Sequence, residues 1–232
     1  GTWATTGGSA PYTHTLDPGA EPPAITLRTA RDTLASSGAL QKGDVIAGAR
    51  VTSATLAAST PGILRLTINF VAMSSTPGAA PSHSLPAHDD PILSHEANRW
   101  RWNSVDYTAR SISLDLENAV EGLRGFGSSS ITGAAITGVR NARMTVTRYK
   151  TNDNWPDAQT AGTEADGDIT FTSGTDQFRI NVNSALIPDA VAIAAQSVGL
   201  NEESAVFEAR DDGTDPPVQF VLVNDDATAE AS

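Results

Sequence analysis

An apolar side chain at every second position is the pattern that most constrains this chain. It is clearest at residues 111–118, which read Ser-Ile-Ser-Leu-Asp-Leu-Glu-Asn. Successive side chains of a strand point to opposite faces of a sheet. This spelling therefore gives Ile112, Leu114 and Leu116 to one face and Ser113, Asp115 and Glu117 to the other. The same period returns in Gly62–Val71, in Ala142–Tyr149, and in residues 176–188, where Phe178, Ile180 and Val182 alternate with Gln177, Arg179 and Asn181. Val45–Ala54 alternates in part. With Gly62–Val71 it forms a hairpin, or two neighbours of a meander, across the Ala-Ser-Thr-Pro-Gly turn. No long stretch carries the 3.6-residue period of an amphipathic helix, and turn residues recur throughout. A mainly-β protein, a sandwich or a barrel, is the expectation.

The remaining segments are read more coarsely. The first 25 residues, rich in Gly, Pro and Thr, form an irregular arm leading into a short strand at Ala24–Arg28, and residues 31–40 hold a helical turn or two. Trp100, Trp102, Val105 and Tyr107 mark one strand with an aromatic face. Asn-Ala-Val-Glu-Gly-Leu-Arg-Gly-Phe-Gly at 118–127 is a short helix or turn stopped by glycine. Strands follow near Ala134–Val139, Ala142–Tyr149 and Ile169–Phe171, and a last one at Val218–Val223 comes after an Asp-Gly turn. Residues 191–199 are ambiguous between strand and helix. Ser74–Asn98 has no periodicity, and an aperiodic stretch of that length in a compact domain is commonly functional or a linker. The chain thus divides into 1–73, an arm and first β-unit; 74–98, an extended loop or linker; and 99–232, a second β-unit with an acidic end. Ile46–Ala54 aligns without gaps with Ile131–Val139, so a β-unit present twice is a further expectation.

Composition excludes several chemistries. Cysteine is absent, which removes disulfides, thiolate metal sites and cysteine nucleophiles. No apolar run reaches the 18 residues of a membrane-spanning helix candidate. Of the net charge of −12, residues 1–149 contribute +1 and residues 150–232 contribute −13. Such an acidic third repels a nucleic-acid backbone, whose binding needs clustered cations. His83, His88 and His95 lie close in sequence, but prolines interrupt them and the helical spacing of a zinc site is missing. Asp153–Asp168 has the composition of a loose calcium loop without its regular spacing, and a solvated loop is the simpler reading. No phosphate loop, nucleophile elbow or dinucleotide fingerprint is present. Two other readings compete with a structural role: a monomeric carbohydrate-binding or adhesin module that stacks sugars on Trp100, Trp102 and Trp155, and a hydrolase using paired carboxylates such as Asp89–Asp90, Asp211–Asp212 or Asp225–Asp226. A tryptophan pair is also what a core uses.

The order of features resembles the tail tube proteins of long-tailed bacteriophages. The carriers are Pro-Tyr-Thr-His-Thr at 11–15 leading to a short strand, the pair of strands within 48–72, the 111–118 strand, and an acidic last part ending Val-Leu-Val-Asn at 221–224. The likeness runs from Pro11 to Asn224. It implies a β-sandwich or barrel of the phage tail tube type with a short flanking helix, possibly duplicated in one chain. It implies a structural virion protein with no enzymatic role and no cofactor. Copies would form hexameric or pseudo-hexameric rings that stack into a hollow tube, and DNA would pass through it without specific binding during ejection. Partners would be other copies of the chain and other tail proteins such as the tape measure and the terminator, with no membrane. The protein would reside in the virion tail, and in the host cytoplasm during assembly. Asp115 and Glu117 become candidates for the bore, and Pro77, His83, His88, Asp89, Asp90, Pro91 and His95 candidates for contact between stacked rings. Tube proteins of this kind carry a further N-terminal segment, so Gly1 would lie inside a longer chain.

Overall fold

The computed structural model describes residues 2–17, 24–31, 42–78, 97–124, 131, 133–138, 140–194 and 201–225. The chain opens with β1 (Thr2–Thr6), β2 (Tyr12–Asp17) and β3 (Ile25–Arg31), then the long β4 (Lys42–Ser59), β5 (Arg65–Val71) and β6 (Ser74–Gly78). Next come β7 (Ala97–Trp102), β8 (Val105–Tyr107), β9 (Ala109–Glu117), β10 (Val120–Leu123), β11 (Gly133–Ile136) and β12 (Asn141–Tyr149). The helix α1 (Asn154–Ala161) precedes β13 (Ala165–Ser173), β14 (Asp176–Ala185), β15 (Ala192–Ala194), β16 (Glu202–Glu208) and β17 (Val218–Asn224). The first sheet has the order β1-β2-β17-β14-β13-β7-β8. The second runs β15-β16-β12-β9-β4-β3, with β5 and β6 also on β4, and β10 and β11 form a separate ribbon.

The expected alternation decides which face of each sheet is buried. In β12, Ala142, Met144 and Val146 point inward, and in β9 Ile112 and Leu114 do the same. Opposite them stand Ile169 and Phe171 of β13 and Ile180 and Val182 of β14. One apolar cluster thus joins both sheets, the arrangement of a β-sandwich. Its centre is aromatic. The Phe207 ring lies 5.1 Å from Trp100, 5.1 Å from Trp102 and 5.3 Å from Trp155, and Tyr107 lies 5.4 Å from Trp155. These tilted and edge-on contacts suit the quadrupoles of the rings. Burying each such side chain contributes roughly 1.5–3 kcal/mol. The indole of Trp100 lies so close to β13 that a Cβ on Gly167 would sit 2.3 Å from it, so only glycine fits there.

One ion pair is sunk in this core. Arg148 and Glu203 face each other across β12 and β16, with side chains 3% and 0% exposed. The Arg148 guanidinium lies 4.4 Å over the Tyr107 ring and 4.2 Å over the Trp155 ring, and it donates to Asn152 Oδ1 at 2.8 Å. Carboxylate, two π faces and an amide offset part of the hydration that the charge has lost, while Arg148 Nε has no acceptor among the described residues.

Several segments depart from the sequence reading. The irregular N-terminal arm contains β1 and β2, which pair with each other and, through β2, with β17. The aromatic stretch is two strands, because Asn103 and Ser104 adopt φ of 51° and 60° and fold β7 against β8. Val120–Leu123, read as helix or turn, is β10 and pairs with β11. Asp153–Asp168 is neither a solvated loop nor a calcium loop. Its middle is α1, with Pro156 in the first turn and Gly162 at φ 64° closing the last turn by N–H donation to Ala158 and Gln159 carbonyls. The short stretch at 192–194 is strand β15. Ser74–Gly78, the start of the expected loop, is β6, whereas residues 79–96 lie outside the described residues; of the expected helical turn at 31–40, Arg31 ends β3 and the rest lies outside them too. The two echoing segments hold unlike places: Ile46–Ala54 lies inside central β4, and Ile131–Val139 spans the ribbon strand β11.

β4 organises one side of the molecule. Its 18 residues have a contour of roughly 60 Å at about 3.3 Å per residue. The first half pairs with β3 and β6, the second with β5 and β9. Gly48, at φ 63°, marks the change, and a Cβ there would meet the Met73 sulfur at 2.8 Å. The β3–β4–β6 unit therefore extends past the part of the second sheet that covers the core.

Candidate assembly surface

The face of the second sheet turned away from the core is built of short polar side chains. Hydrogen bonds tie its rows together across strands. Asn69 of β5 donates to Ser53 of β4 at 2.9 Å. Thr55 of β4 donates to Asp115 Oδ1 at 2.7 Å, and Ser113 donates to the other oxygen at 3.2 Å. Arg143 of β12 pairs with Glu208 of β16 at 3.1 Å, and Thr147 donates to Ser204 at 3.2 Å. Arg110 pairs with Glu202 and lies 4.8 Å over the Tyr149 ring. Hydroxyls, amides and paired charges thus link neighbouring strands across this face.

Asp115 and Glu117 lie on this face, as the alternation of β9 requires; Asp115 is partly covered and Glu117 exposed. Within β9 no cation separates them, but register places Arg143 of β12 directly opposite Asp115 and Asn141 opposite Glu117. The acidic stripe of one strand is thus tempered by a neighbour distant in sequence. Pro77 sits exposed on β6, opposite Asp44. His83, His88, Asp89, Asp90, Pro91 and His95 lie outside the described residues. The fourth histidine, His14, is buried between Thr5 Oγ1 at 2.9 Å and Asn224 Oδ1 at 3.0 Å. The carboxylates of Asp153–Asp168 diverge: Asp153 faces Lys150 at 2.6 Å, Asp166 accepts from the Ser184 amide at 2.9 Å, and Asp168 faces Arg101 at 2.7 Å.

A sugar-stacking role for the tryptophans is overturned. Trp100, Trp102 and Trp155 are 0%, 1% and 0% exposed and form the aromatic centre of the core. No ligand ring can reach their faces.

Sequence reasoning missed what lies at the margin of this sheet. β5 pairs with β4 alone, so its far edge has no strand on it among the described residues. Leu66, Ile68 and Phe70 of β5 stand in register with Leu56, Ala54 and Val51 and continue the apolar side of the sheet. Leu56 is covered by the first sheet, whereas Leu66, Ile68 and Phe70 are 60%, 49% and 42% exposed. The signal for this was the good alternation of Gly62–Val71, but alternation reports that one face is apolar, not what covers it.

No curated protein matches the chain. A family model described as phage tail tube protein matches residues 1–229, nearly its whole length. With a β-sandwich and, among the described residues, one short flanking helix and a polar sheet face beside an unpaired strand edge, the chain belongs to the phage tail tube protein family and has a structural role in the virion tail.

Proposed function

We propose that copies of this chain close into rings through the margin at β5, that the rings stack into the tail tube, and that the polar face of the second sheet lines the bore. The observation that carries the reading is β5 itself. A strand whose far edge is unpaired among the described residues, with three large apolar side chains exposed, is an aggregation hazard in a protein meant to stay single. In a ring, the neighbour's sheet supplies both the missing hydrogen bonds and the missing cover, and closure leaves no margin free.

The polar face suits a conduit for DNA. Phosphates bind where cations are available to replace their counterions. On this face Arg143 and Arg110 each stand against a carboxylate of their own chain, and Asp115 and Glu117 add negative charge. With Arg65 of β5 as a further exposed cation at the margin, passing DNA meets hydroxyls and mostly matched charges rather than a run of free cations. Ser74–Gly78, which includes Pro77 and pairs with β4 in the projecting β3–β4–β6 unit, supports the reading that this part of the chain meets the next ring.

Negative-stain microscopy of the purified protein should show rings or hollow tubes; separate single copies at high concentration would sink the proposal. Replacing Asp115 and Glu117 together by Lys should leave tubes intact and slow DNA ejection at least several-fold. Unchanged ejection would remove these two residues from the bore.

A further inference from the structure

Across the sandwich, the outward face of the first sheet holds a polar hollow of about 190 Å³ lined by Arg99, Arg101, Asp106, Asp168, Thr170 and Arg179. Register gathers them. Arg101 of β7 stands between Asp106 of β8 and Asp168 of β13, and Thr170 of β13 faces Arg179 of β14. Two of the three guanidinium groups are matched. Arg99 Nε meets Asp106 at 2.8 Å, and Arg101 donates through Nε and a terminal nitrogen to Asp168 Oδ1, both at 2.7 Å.

Arg179 is different. Its Nε is buried and has no hydrogen-bond acceptor among the described residues. Three guanidinium groups against two carboxylates leave the lining with one positive charge in excess. A partly desolvated cation next to a buried, unused donor is unfavourable unless an anion completes it. The planar fork of an arginine matches a carboxylate, which accepts two N–H donors side by side. One excess charge suits one carboxylate. A nucleic-acid backbone would ask for a longer run of free cations.

We propose that this hollow is a carboxylate-binding site anchored by Arg179, with the Thr170 side chain at its wall. Such a carboxylate has two sources: a small organic acid in solution, or an Asp or Glu side chain of a second copy, of which the exposed turn at 211–215 offers three.

The test is a titration of the dispersed protein with sodium acetate at constant ionic strength, following the arginine Nε–H resonances by NMR. The Arg179 resonance should move saturably while chloride alone leaves it in place. R179Q should lose the saturable response at an unchanged thermal midpoint, and R179K, which keeps charge but not the fork, should weaken it at least five-fold. If R179Q does not fold, R179K carries the comparison. No saturable movement, or the same movement in the variants, overturns the site. The source is read from assembly. A tenfold rise in the protein concentration at which R179Q forms tubes, reproduced by acetate on the unsubstituted protein, assigns the carboxylate to a neighbouring copy. Unchanged thresholds assign it to a solute acid. A chain that never assembles would defeat the ring proposal and leave the acetate result standing.

Discussion

At the scale of single residues, the Arg148–Glu203 pair shows why removing one buried charge is worse than removing two. Both side chains are nearly inaccessible, and the guanidinium is wedged between Tyr107 and Trp155. Substituting Glu203 by Ala strands a cation in the core and should cost about 3–5 kcal/mol. Exchanging Arg148 for Met and Glu203 for Leu together removes the burial penalty along with the attraction and should cost about 2 kcal/mol or less. Urea unfolding of the three variants decides the matter. A double variant as unstable as Glu203→Ala would mean that the aromatic stacking, not charge matching, holds this part of the core. None of this was legible in the sequence. Arg148 occupies an inward position of an alternating strand, where alternation alone calls for an apolar residue, and its partner is 55 residues away on β16. His14 hides for the same reason, since Thr5 and Asn224 reach it from β1 and from the far end of the chain.

Among the elements, those that bury one face and wet the other were legible. β9, β12, β14 and β17 sit where alternation placed them, because a half-buried strand writes its two faces into every second residue. β1 and β2 were missed because Thr is neither clearly apolar nor clearly polar, so Thr-Trp-Ala-Thr-Thr and Tyr-Thr-His-Thr-Leu-Asp blur the period. α1 was missed because it buries only Trp155 and so has no apolar stripe; Pro156 and Gly162 were the available signals. β10 was missed because its four residues depend on pairing with β11, beyond a connecting segment. Of the candidate surface, the split of Ile112 and Leu114 from Asp115 and Glu117 could be read, but not the approach of Arg143, which register alone decides. β5 carries the element-scale prediction. Ile68→Lys places a charge on an exposed side chain, so monomer stability should change by no more than about 0.5 kcal/mol. Tube formation should nevertheless be lost. Sedimentation with and without the substitution checks both halves, and tubes from Ile68→Lys would move the ring contact elsewhere.

For the whole molecule, one apolar cluster bridges both sheets and contains the three tryptophans Trp100, Trp102 and Trp155. β2 near the start and β17 near the end are neighbours in the first sheet, so the described chain closes on itself. Unfolding should therefore be a single event. Tryptophan fluorescence and far-ultraviolet circular dichroism should give coincident urea transitions; a separate later transition would reveal a part that folds alone. β4 adds a mechanical consequence. The projecting unit and the wall of the sandwich share one uninterrupted run of peptide bonds, so a pull on the tip is borne by covalent linkages and delivered as shear along the neighbouring ladders of β9 and β5. Gly48 is the joint at which such a lever bends, and the Met73 thioether packed against it acts as a soft pad under that joint.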